Sequence, residues 1–291
     1  MMMGTDLSTI PHSLDHEVEY LNVGILNQNK NVVVVTLDRR GKRNAVNAKM
    51  WKEIGYVFSR LGRSGDGCRA ILLTGAGKDF CAGIDVMDPL FQMAAEDDVA
   101  RSAISFMPKI LEMQQCLTTV EKCPVPVICA VHGNCIGAGI DLACCADVRL
   151  SSLDAIFSVR EVRVGLAADV GTLQRLPKIV GHSSRVRELC LTGSNFDASE
   201  AHRIGFISRV ASVNLVGDAL KLCCDIAALS PVAVTSTKTS LNYSRDHTVQ
   251  EGLEHIALHN SIALQSEDLI KSFTMDGEKP NFVELLPHSK L

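Results

Sequence analysis

With 291 residues, 46% of them hydrophobic, the chain can bury a large core, and its length points to one big domain or a domain with an appendage. A formal net charge of -4, with lysines and arginines scattered, leaves no basic face to recruit nucleic acid or anionic lipid. Eleven cysteines, an odd number without any C-x-x-C pair, argue against a disulfide framework and a zinc site and read as small core residues in a reducing compartment.

Residues 1–19 are acidic and lack an uninterrupted apolar run, so they read as a loose extension rather than a secretory signal; Gly4 does not fit the myristoylation pattern. The β-branched run at 31–38, NVVVVTLD, predicts a buried strand, RRGKRNAVN a turn, and 48–61 a helix. A strand at 70–74 leads into the glycine-rich loop GAGKDFCAGID. A helix follows over 99–115, kinked at Pro108 and continuing through 116–121, and Pro124 and Pro126 stop it before a strand at 127–131. Residues 133–137 read as a turn, 138–146 as a short helix, and 148–151 and 155–159 as strands. Helical patterns dominate from Leu173 onward, interrupted by a last strand at 206–210. The longest apolar region, 125–145, is broken by His132, Asn134, Asp141 and several glycines, which fits strand, loop and helix and not a membrane span. Alternating strand and helix through residue 211 implies an α/β core, with the helical remainder as a separate layer. The last three residues, Ser289-Lys290-Leu291, spell the S-K-L tripeptide that the peroxisomal import receptor reads at a free C-terminus, whether in a peroxisome or a glycosome.

The stretch FSVREVRVGLAADVGTLQRLP, 157–177, reads as protein interior yet carries Glu161 and Asp169. Desolvating a carboxylate costs several kcal/mol, so two readings stay open: the acids pair with Arg160, Arg163 or Arg175, or their cost is offset by a chemical task. Two glycine-rich loops, Cys81-Ala82-Gly83-Ile84-Asp85 and Gly137-Ala138-Gly139, each follow a strand, and the second opens a helix. Neither completes a dinucleotide fingerprint or a phosphate loop. Unpaired N–H groups at a helix start attract a developing oxyanion, and Asp141 lies within a turn of them. His255 and His259 share a helix face at i, i+4 without a carboxylate pattern, so a satisfied or exposed face outweighs a metal site, and no G-x-S-x-G elbow supports a serine hydrolase.

FCAGID, HGNCIGAGIDLACCADVRL and GTLQRLPKIVG, in this order and spacing, resemble the enoyl-CoA hydratase/isomerase, or crotonase, superfamily over about residues 20–285. SVREVRVGLAADVGTLQRLP and LNYSRDHTV are similar to its delta(3,5)-delta(2,4)-dienoyl-CoA isomerases; ordinary hydratases usually have a glycine-rich, uncharged segment where Asp169 stands and Glu where Asp141 stands. The resemblance implies an α/β spiral of ββα units over 20–211 and a helical oligomerisation region over 212–288, assembling as a homotrimer or hexamer. It implies conversion of 3,5-dienoyl-CoA to 2,4-dienoyl-CoA in the β-oxidation of unsaturated fatty acids, with no metal or redox cofactor and coenzyme A entering as part of the substrate. The catalytic positions fall on Asp141, Glu161 and Asp169, with Asp169 the base at C2 and Glu161 the acid at C6. The oxyanion donors fall on the N–H groups of Ile84 and Ala138, the latter a glycine in many relatives. Pantetheine would lie against Ala82, Gly83 and Asp85, with Gly139 beside it. The adenine would lie near Arg43, Asn44 and Ala45, and Lys42, Arg43 or Lys78 would meet phosphates. Hydration of a 2-enoyl-CoA, another crotonase-type isomerisation, or a non-catalytic binding role on the same fold stand as the alternatives.

Overall fold

The computed structural model describes residues 7, 8, 14, 18–63, 65–89, 98–274 and 282–285. Ser289-Lys290-Leu291 and most of the expected N-terminal extension lie outside them. Of that extension, β1 (Leu7–Ser8) is not loose, because it adds an antiparallel edge strand to β2 (Leu21–Leu26).

The core is built from β3 (Val32–Leu37), α1 (Ala48–Arg60), β4 (Ala70–Gly75), α2 (Val99–Glu121), β5 (Val127–Val131), β6 (Asn134–Ile136), α3 (Ala138–Cys145), β7 (Val148–Ser152) and β8 (Ile156–Ser158). There follow α4 (Thr172–Ile179), α5 (Ser183–Thr192), β9 (Phe196–Asp197), α6 (Ala198–Arg203), β10 (Arg209–Ala211), α7 (Leu215–Ala227), α8 (Pro231–Ser244), α9 (Val249–Ala263) and α10 (Glu267–Thr274). The large sheet runs β1-β2-β3-β4-β5-β7-β10, parallel from β3 onward, and a small sheet runs β6-β8-β9. Each turn of chain adds a strand to the large sheet, touches the second layer and returns through a helix. The second-layer contacts are the bridges Val46 to Ile84 and Cys81 to Cys135, and then β6 with β8. This is the expected spiral of ββα units. Strands β4 and β5 are buried at every position because helices cover both faces, which is why they read as continuous apolar runs.

Three expectations shift. Residues 134–136, read as a turn because glycines flank them, form β6. The last core strand begins at Arg209, not 206, since Phe206 turns inward and stacks edge-on against Phe157. The stretch 157–177 is not interior throughout: Val162, Val164 and Leu166 are exposed on a 3-10 helix (Glu161–Val164) and the left-handed turn at Gly165. No single described helix is long and apolar enough to cross a membrane, and 125–145 is β5, β6 and α3.

Candidate active site

Two turns meet where the spiral closes on itself. The chain leaving β4 bridges at Cys81 to Cys135, and the Ile136 N–H donates to the Cys81 carbonyl at 3.0 Å. A methyl group placed on Gly83 would stand 3.2 Å from the Ile136 carbonyl, and one on Gly137 would stand 3.8 Å from the Gly83 Cα, so the 82–84 and 136–138 turns are in contact. Gly137 holds φ 51°, a left-handed conformation that lets the chain reverse into α3. Neither the Ile84 nor the Ala138 N–H has a hydrogen-bond partner among the described residues. Ala138 is the first residue of α3, where backbone donors have no partner within the helix and the dipole is positive.

Asp141 and Glu161 border this pair of turns, and Asp169 lies within electrostatic reach of both. Asp141 lies in the first turn of α3 and is fully buried; its Oδ1 accepts the Thr172 N–H at 2.6 Å, at the start of α4, while its Oδ2 has no partner. Burial pushes its carboxyl up to about 7, against the Thr172 hydrogen bond and with help from the negative charges of Glu161 and Asp169. Glu161 opens the 3-10 helix, its Oε1 3.1 Å from where a Gly137 side chain would begin, and its buried Oε2 is unpaired. Burial raises Glu161, and Asp169 adds to the rise. Asp169 is more solvent-accessible, but desolvation raises it too. The electrostatic coupling of these groups places all three sequence-expected acids in one neighbourhood.

The arginine-pairing alternative is overturned. Arg160 donates to Ser158 and Asn195, Arg163 to the Thr192 carbonyl, and Arg175 to Glu121 at 3.1 Å. No cation pairs with Asp169 among the described residues. What holds Asp169 is its backbone, whose carbonyl accepts from Gln114 Nε2 at 2.6 Å.

The expected CoA-contact residues separate into two groups. Arg43, in a left-handed turn, pairs with Asp79 through Nε at 2.6 Å yet keeps 61% of its side chain exposed; Lys42 and Lys78 are exposed, and Ala45 and Ala82 are half-buried. Asn44 is fully buried, donating to the Ala76 and Asp79 carbonyls, so its side chain cannot meet an adenine. The Asp85 carboxylate is taken by Arg39 at 2.7 Å, and that contact holds it below the usual range. Gly139 faces Cys81, whose Cβ would lie 3.0 Å from an added methyl, so its smallness serves packing between the two turns.

The sequence reading missed Gln114, Thr172, Glu121 and Asp79. Asp79 is held down to about 2, chiefly by Arg43, despite its burial; it also accepts the Asn134 N–H at 2.9 Å, tying the Arg43 loop to β6. An acid after a glycine-rich turn gives no signal of such a partner. His255 stacks on Tyr243 at 4.0 Å and meets the His259 ring at a tilt of 42° and 4.5 Å, and no cluster of three metal-ligating side chains forms among the described residues.

The enoyl-CoA hydratase/isomerase family model matches residues 27–284. A human protein named "Delta(3,5)-Delta(2,4)-dienoyl-CoA isomerase, mitochondrial" is 47% identical over 262 residues, 89% of this chain and 79% of its own length. An Arabidopsis thaliana protein, "Delta(3,5)-Delta(2,4)-dienoyl-CoA isomerase, peroxisomal", is 38% identical over 266 residues, 89% of this chain and 95% of that one. Among solved structures, a putative enoyl-CoA hydratase from Thermobifida fusca YX in complex with acetoacetyl-CoA superposes with a TM-score of 0.74 at 28% identity, covering 84% of this chain and 94% of that one.

Proposed function

The chain belongs to the enoyl-CoA hydratase/isomerase family, and from that premise we propose that it isomerises 3,5-dienoyl-CoA to 2,4-dienoyl-CoA in the oxidation of unsaturated fatty acids. The relatives' names support the reaction. The observation in this chain that carries it is Asp169, a carboxylate with a raised pKa and no cation on it among the described residues, close enough to Glu161 for its charge to raise that carboxyl too.

The substrate has double bonds at C3 and C5. Asp169, ionised, removes a proton from C2; the electrons spread through the diene and gather on the thioester oxygen, where the Ile84 and Ala138 N–H groups donate to it. Glu161, protonated, delivers a proton to C6. The C5=C6 and C3=C4 bonds shift to C4=C5 and C2=C3, and the carbonyl re-forms. One proton leaves and one returns, so no redox cofactor enters the balance; coenzyme A comes and goes with the substrate. The reaction needs one acid protonated and another ionised at neutral pH, and burial together with mutual repulsion favours holding a proton among the three. Such groups titrate as a set. Asp141, bound to the N-terminus of α4, orients the base-bearing segment, and repulsion from Glu161 adds to the rise of its own carboxyl.

The CoA portion lies along the 82–85 turn, with the exposed part of Arg43 and Lys42 or Lys78 available to phosphate. The exposed apolar residues Leu253, Leu258 and Ile262 on α9 support assembly into a trimer or hexamer through the C-terminal helices. The named relatives include mitochondrial and peroxisomal proteins; Ser289-Lys290-Leu291 favours the peroxisome and its import receptor.

Purified protein is given 3,5-dienoyl-CoA and 2-enoyl-CoA in parallel, following formation of the conjugated 2,4-diene and hydration. The expected result is diene formation in excess, lost by roughly 10²–10⁴-fold in Asp169→Asn while folding and CoA binding persist. Faster hydration, with Asp169→Asn unimpaired, would make the chain a hydratase; inertness toward both substrates would leave a binding role.

A further inference from the structure

Arg175 is six residues from Asp169 in sequence, yet its guanidinium is held elsewhere. Glu121, the last residue of α2, accepts Arg175 Nη2 at 3.1 Å and Nε at 3.2 Å on one oxygen and Arg245 Nη1 on the other. Thr118 Oγ1 accepts Arg175 Nη2 at 3.2 Å, and Arg175 Nη1 reaches the Val170 carbonyl at 3.5 Å. Gly171, at φ 135°, lies directly beneath: an added methyl would fall 1.8 Å from Arg175 Nη1, so the guanidinium rests on bare backbone. The segment 169–172 is therefore fixed at three points: Gln114 on the Asp169 carbonyl, Arg175 on the Val170 carbonyl, and Asp141 on the Thr172 N–H.

We propose that Glu121 and Arg175 are positioning residues for Asp169: Glu121 anchors the guanidinium so that it steadies the 169–172 backbone and stays off the Asp169 carboxylate. The proposal rests on the reading of Asp169 as the proton-abstracting base. A nearby cation would stabilise the carboxylate and weaken it as a base, so Glu121 preserves basicity by retaining the cation. The other charges facing Asp169 are Glu161 from the 3-10 helix and Asp141 from α3; α2 presents the neutral Gln114.

The test is steady-state isomerisation of 3,5-dienoyl-CoA by the full chain across pH, with the unfolding midpoint measured in parallel. In Glu121→Gln the negative charge that retains the guanidinium is gone, leaving it only neutral acceptors and freeing it to shift toward Asp169. We expect kcat to fall about 10- to 100-fold, as misplacement by roughly 1 Å does, with KM within about threefold. The acid limb of kcat/KM should move to lower pH as freed Arg175 approaches Asp169. In Arg175→Gln, kcat should fall similarly, but the acid limb should not move down because the cation is gone; Arg175→Lys should recover part of kcat. Wild-type kcat and an unmoved acid limb in Glu121→Gln, beside an inactive Asp169→Asn, would overturn this proposal alone. So would a kcat loss in both variants that only tracks lost folded protein. Full activity in Asp169→Asn would overturn the reading of Asp169 as base, and this proposal with it.

Discussion

Asp141→Asn is expected to stabilise the protein at neutral pH while impairing its chemistry. In the folded chain the Asp141 carboxyl is pushed from 3.8 to about 7, first by burial. A raised folded-state pKa contributes stability that is complete below the unfolded value, near pH 4, and is lost as pH rises through about 7. At 1.36 kcal/mol per pKa unit, wild type should lose on the order of 3 kcal/mol relative to Asp141→Asn between about pH 4.5 and about pH 8. That is a large part of a typical 5–15 kcal/mol folding stability. Asn keeps an oxygen to accept the Thr172 N–H, so the α4 contact persists. Urea unfolding of both proteins at the two pH values, at fixed protein concentration, measures it; the difference of differences cancels every shared group that does not interact with Asp141, leaving Asp141 and its effect on Glu161 and Asp169. A difference that is flat with pH would mean Asp141 titrates as an ordinary carboxylate, and the burial argument fails.

Ala138→Pro removes one proposed oxyanion donor at a helix position that tolerates proline, so kcat/KM should drop about 10²–10³-fold with helix content unchanged by circular dichroism. Lys238, buried in α8, donates to Asp147 at 2.7 Å and to the Val125 carbonyl at 3.0 Å, anchoring the C-terminal helices to the core. Lys238→Met removes the donor to the Val125 carbonyl and leaves the Asp147 carboxylate with only the Val127 N–H and no cation, and should cost about 3 kcal/mol in denaturant unfolding. Nine of the eleven cysteines are buried, with Cys116 and Cys224 partly exposed. A thiol reagent should label at most those two quickly in native protein and all eleven after unfolding.

The main spiral was legible because its strands and helices announce themselves locally. The runs VVVVTL, AILLTG and VICAV are uninterrupted apolar segments of strand length, and Asn47, Gly137 and the proline pair at 124 and 126 punctuate the helices. The short strands β2, β6 and β9 were not, since segments of two to six residues such as NCI and FD are too short to carry a clear period. Asp141, Glu161 and Asp169 were found because acids in apolar sequence carry a solvation cost that demands a reason.

Sequence alone determined which residues could bear chemistry, since that depends on side-chain type and neighbours along the chain. Only the tertiary structure decided what each acid faces. Arg175 lies within reach of Asp169 in sequence but pairs with Glu121, 54 residues away, and Asp141 meets Thr172 across 31 residues. Electrostatic interactions fall with distance through space, not along the chain, so the difference between a neutralised carboxylate and a basic one appears only when the spiral closes.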